Sequence, residues 1–119
     1  MGFDVYLRWK GMTPSEESAQ YTGYSMVHGH VGYLRWPYEE PNPVLALLKP
    51  WMTDAYPEEI SGVPSADLVK RLPEAKDAIL SYDDISDQVK VEIVESFANF
   101  VILYEKKEKD GLNPVIEVR

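Results

Sequence analysis

The feature that most constrains the fold lies towards the end of the chain. Ile85, Val89, Ile93, Phe97, Val101 and Tyr104 recur at steps of four and three residues, and Val94 and Phe100 widen the stripe. This is the period of an amphipathic α-helix with one face to bury. Asp83, Asp84 and Asp87 crowd one end and Lys106, Lys107 and Lys109 the other, where each sign of charge offsets the exposed backbone dipoles. The pattern predicts a helix of about 22 residues closed by Asp110-Gly111, roughly 33 Å long. An element of that length needs a broad apolar partner.

Strands supply it. Phe3, Val5, Leu7 and Trp9 alternate with Asp4, Tyr6 and Arg8, the period-two pattern of a strand with one buried face. Pro114 to Arg119 reads as a terminal strand with its proline at the first position, where the missing N–H does least harm. Between these strands, Thr13-Pro14-Ser15-Glu16 combines a capping threonine, proline at the first helical position and glutamate three residues after the cap. A short helix to about Tyr21 follows, with Gly23 as its stop.

From Trp36 to Pro64 long regular elements are excluded, because six of the nine prolines fall there. Asn42-Pro43 starts one short buried helix through Val44, Leu45, Leu47 and Leu48, and Pro50 ends it. Ser65 is read as the cap of a helix to about Leu72, with a break at Leu72-Pro73 and a second helix through Leu80. The expected fold is α+β: one domain, residues 1–119, in which a largely antiparallel sheet of three or four strands is packed on one face by the long helix and shorter ones.

Composition narrows function by exclusion. The chain has no cysteine, so thiolate chemistry and disulfides are absent and packing alone must stabilise it. A net charge of −8 opposes a phosphate backbone at long range, and direct nucleic-acid binding is not expected. Asp4 interrupts the apolar run that a signal peptide needs, and no segment is apolar for long enough to span a bilayer. Tyr6 departs from a myristoylation motif. The expected location is the cytoplasm, without membrane association.

Both histidines lie in Tyr24-Ser-Met-Val-His-Gly-His-Val-Gly-Tyr33. In an extended strand, His28 and His30 would point to one face about 6.6 Å apart and could share a metal ion with a distant carboxylate. The reading preferred here is a hairpin or a satisfied polar strand. In the hairpin, His28-Gly29 forms the two-residue turn, Val27 faces His30, Met26 faces Val31 and Tyr24 faces Tyr33, with Gly29 supplying a positive φ. No cofactor is expected. Gly23-Tyr24-Ser25-Met26-Val27 lacks the final glycine of a nucleophile elbow, and no glycine-rich phosphate loop is present.

What remains is an aromatic set, Tyr33, Trp36, Tyr38, Trp51 and Tyr56, interleaved with Arg35, Glu39 and Glu40 in the proline-rich segment. Trp36 and Trp51 are expected to plug the core. Tyrosine and arginine dominate many protein interfaces, and proline reduces the entropy lost when a loop binds. The leading expectation is a small acidic, non-enzymatic protein, an inhibitor or regulator, that binds another protein through Tyr33, Arg35, Trp36, Tyr38, Glu39, Glu40 and Tyr56. Three other readings stand beside it: a metal-dependent enzyme using His28 and His30; a ligand pocket of Tyr24, Tyr33, Arg35 and Trp36; and an acidic nucleic-acid mimic on the run Glu74 to Glu95.

Overall fold

The computed structural model describes residues 2–21, 26–53 and 58–119. The strands are β1 (Gly2–Arg8), β2 (Tyr33–Pro37), β3 (Glu58–Ser61) and β4 (Val115–Val118), and the helices are α1 (Pro14–Gln20), α2 (Pro43–Leu48), α3 (Ser65–Leu80) and α4 (Asp87–Lys109). The four strands form one antiparallel sheet in the order β2-β1-β4-β3. The last strand of the chain therefore sits between the first and third. Paired bonds between Asp4 and Arg119 (N to O, 2.9 and 2.8 Å) extend its ladder with β1.

Alternation along each strand sorts the sheet into two faces. Phe3, Val5 and Leu7 of β1 lie beside Leu34 and Trp36 of β2 and Ile116 and Val118 of β4, and all join one buried cluster with the helices. The long helix behaves as its stripe requires: Ile93, Phe97, Phe100, Val101 and Tyr104 are buried against the sheet. Ser86 caps it by accepting the Val89 N–H, and lysines occupy its last turn. In α1 the full capping box forms between Thr13 and Glu16; the expected stop at Gly23 lies outside the described residues. Asn42 caps α2 by accepting from Val44 and Leu45, and Pro50 falls in the single 3-10 turn that follows.

The expected break at Leu72-Pro73 does not occur: α3 runs unbroken through Pro73. Nor does Ser65 cap it. Pro64 holds the cap position, and the Ser65 hydroxyl and N–H both donate to Glu108 of α4 (2.6 and 3.0 Å). Proline is tolerated because both Pro73 and Val69, whose carbonyl loses its helical partner, are exposed positions, so the lost bond leaves no polar group in the core. Packing of α3 on α2 and α4 holds the remaining turns together. An interior proline still forfeits one bond, so Pro73→Ala is expected to raise unfolding stability by about 1–3 kcal/mol in a denaturant titration. A loss of stability would show that the ring's own contacts outweigh the missing bond.

Candidate functional site

The face of the sheet turned away from the core cluster carries an organised polar layer. β1 presents Asp4, Tyr6 and Arg8; opposite them β2 presents Tyr33 and Arg35, and β4 presents Glu117, followed by Arg119. Tyr6 is central. Its ring lies 5.1 Å from that of Tyr33 and 5.3 Å from that of Tyr21, just past α1, and the guanidinium carbons of Arg8 and Arg119 each lie 5.0 Å from it. Arginine over a tyrosine face is attracted by the ring quadrupole while its N–H groups stay free to pair in the plane.

Two carboxylates hold the arginines. Glu117 accepts from Arg8 Nε and from Arg119, both at 2.9 Å. Asp4 Oδ1 accepts from the Tyr33 hydroxyl (2.6 Å) and from Arg35 (2.7 Å). Arg8 also donates to Gln20 Oε1 and to the Tyr21 hydroxyl. Gln20 is buried, and its amide donates to the carbonyls of Leu7 and Val31, both at 2.9 Å, which ties α1 to the strand ends. The layer is thus rigid beneath and open above: Tyr33 and Tyr6 are 1% and 6% exposed, whereas Tyr21 is 49% exposed.

The residues expected to form one binding surface separate. Tyr33 and Arg35 belong to the layer just described. Trp36, one step further along β2, points to the opposite face, is 0% exposed and meets Tyr82 edge-on at 5.0 Å. It offers a partner nothing, in agreement with the core role expected for it. Trp51 is half-buried against the core. Tyr38 is 55% exposed, with its ring edge-on to Phe3, and Glu39 and Glu40 are exposed beside it; Glu39 accepts from the Tyr82 hydroxyl. Tyr56 and Tyr24 lie outside the described residues. Alternation along β2 sends Tyr33 and Arg35 to one face of the sheet and Leu34 and Trp36 to the other.

Neither geometry expected for the histidines is found. Residues 29–31 form a 3-10 turn preceded by His28, and β2 then pairs with β1. The imidazoles stand edge-on, 5.8 Å apart, and no third His, Cys, Asp or Glu joins them in a metal-sized group among the described residues. Gly29 is needed for a different reason. Its N–H donates to Ser96 Oγ (2.8 Å), and a Cβ there would overlap the Ser96 carbonyl of α4. The positive φ belongs to Gly32 instead.

Tyr6, Tyr21, Arg8, Arg119, Asp4 and Glu117 did not emerge from the sequence as a group because β1, the end of α1 and the β4 end of the chain, far apart in sequence, each supply part of it. The available signal was the polar half of two alternations, Asp4-Tyr6-Arg8 and Glu117-Arg119. The acids Asp83, Asp84 and Asp87 are exposed around the start of α4, where the helix dipole already accounts for them. Among the described residues, no helix is long and apolar enough to cross a membrane.

Burial, and then the bond to Asp4, raise the Tyr33 phenol above its ordinary pKa. The stability this confers is fully present below about pH 10, where an unfolded tyrosine ionises, and is lost as pH rises towards the folded value. Between about pH 10 and 11.5, wild type is expected to lose unfolding stability more steeply than Tyr33→Phe. Parallel curves would mean that the phenol ionises as freely folded as unfolded. In comparisons with known proteins, no family model, no curated protein and no solved structure matches this chain.

Proposed function

We propose that the protein is a recognition module that binds another protein through the tyrosine–arginine face of its sheet. The observation that supports this most is Tyr6, held between the guanidinium groups of Arg8 and Arg119 and flanked by the rings of Tyr33 and Tyr21. Tyrosine and arginine carry a disproportionate share of binding energy at interfaces. Here they are fixed in advance by Glu117, Asp4 and Gln20, which lowers the entropy lost on association. The exposed parts are the ring of Tyr21 and the guanidinium of Arg119, whose side chain is 46% exposed. A partner would lay an apolar or aromatic side chain on Tyr21 and set a carboxylate near Arg119. Face and chain differ in charge: Arg8, Arg35 and Arg119 balance Asp4, Glu117 and Glu59, which β3 sets beside Glu117, while the protein as a whole carries −8.

A second reading keeps the partner but moves the contact to Tyr38, Glu39 and Glu40, on the strength of the exposed Tyr38 ring. The two are separable. Proteins captured on the immobilised wild-type chain would be titrated against Tyr21→Ala/Arg119→Ala and against Tyr38→Ala/Glu39→Ala/Glu40→Ala. The first variant is expected to weaken binding by about 2 kcal/mol or more while lowering stability by no more than about 1 kcal/mol. Full binding by the first variant, with loss in the second, would move the interface to the proline-rich loop.

A further inference from the structure

The helical layer carries a second apolar stripe that its own core does not use. On α3, Val69 and Leu80 are 45% and 44% exposed; on α4, Val91 and Ile102 are 62% and 64% exposed. Each pair is separated by eleven residues, three helical turns, so both members sit on one side of their helix. Between the helices lies a groove of about 410 Å³ whose walls include Val69, Leu72 and Pro73 of α3 and Val94 and Ala98 of α4.

The level of each residue along the groove is fixed at both ends. Lys90 Nζ donates to the Leu80 carbonyl (3.1 Å), and Glu108 accepts from Ser65. The helices are therefore antiparallel, with Leu80 level with Val91, Val69 with Ile102, and Lys76 with Glu95. Lys76 lines the groove on the α3 side and Glu95 stands on the exposed rim of α4; both are exposed, and neither is ion-paired among the described residues.

From this we infer that the occupant of the groove is a second copy of the chain. A two-fold axis running along the groove lays α3 of each copy over α4 of the other at the same level, which is how an isologous interface is built. Lys76 of each copy then meets Glu95 of the other, twice per dimer, and each aliphatic end pair meets its counterpart. The surface is self-complementary in charge as well as in apolar content. The stretch of about 24 Å over which α3 lies along α4 covers roughly 500 Å² in projection, and more as accessible surface, which approaches the roughly 800 Å² per partner of a standard interface. Like net charges on the two copies oppose association, so the dimer is expected in the micromolar range at physiological salt. This interface lies across the sheet from the tyrosine–arginine face and is independent of it.

The test is sedimentation equilibrium on wild type, K76E, E95K and an equimolar mixture of the two variants. Both changes are at exposed positions, and circular dichroism would confirm that each variant folds. Wild type is expected to dimerise by about 100 µM, and each variant alone to associate at least about tenfold more weakly, because like charges then face each other. The mixture is expected to recover the dimer, since every lysine then meets a carboxylate. Monomeric wild type throughout this range would overturn the inference. So would a wild-type dimer accompanied by a mixture that associates no better than either variant alone, which would place the contact on another face.

Discussion

The approach of Gly29 to Ser96 sets the position of the turn that leads into β2. Backbone meets backbone there: the Gly29 N–H is spent on the Ser96 hydroxyl, and the space for a side chain is taken up by the Ser96 carbonyl. The long helix thus carries the sheet with one stripe and the 3-10 turn of residues 29–31 with its flank, where Ser96 is 3% exposed. Four residues after Gly29 the chain enters β2 beside β1, and the Leu7 N–H to Gly32 carbonyl bond (2.8 Å) closes the ladder. Register follows from this. A shift of one residue in β2 would exchange Trp36 and Leu34 for Arg35 and Tyr33 in the core.

That register also creates the candidate site. With β2 in place, Tyr33 and Arg35 converge on Asp4, and the Tyr33 ring packs at a tilt against that of Tyr6. β4 then brings Glu117 and Arg119 to the other side of the same ring. Charged groups on this face are partly desolvated but mutually paired, an arrangement that adds little net stability compared with apolar residues yet fixes geometry. The protein therefore has two unlike outer surfaces: a preorganised tyrosine–arginine layer on the sheet, and an apolar groove on the helices. If the groove pairs two copies, the sheet faces point away from each other, and each dimer presents the tyrosine–arginine layer twice.

Much of the fold was legible because its signals are local and periodic. The stripe of α4, the alternation of β1 and the capping box at Thr13 each depend on residues a few positions apart, and each appears where it was expected. Three features were misread, each through a distant partner. Ser65 resembles a helix cap until Glu108 claims its hydroxyl; Pro73 resembles a break until the packing of α3 carries the helix past it; Gly29 resembles a turn glycine until Ser96 is set against it. The aromatic residues after Tyr33 looked like one surface because a strand hidden among prolines gave no clear alternation. Its two faces separate Trp36 from Arg35, and no local pattern pointed to Tyr6 and Arg119 as their neighbours across the sheet.

The tyrosine–arginine layer depends on the seating of residues 28–31 against α4. The unfolding free energy of Gly29→Ala tests it most directly, with Ser96→Ala as the comparison. An added methyl must push the segment off the helix, so Gly29→Ala is expected to lose about 2–4 kcal/mol, while Ser96→Ala, which removes only the hydroxyl, loses about 1 kcal/mol. A Gly29→Ala protein within about 0.5 kcal/mol of wild type would contradict the account, because the close approach on which β2 and its face depend would then not exist.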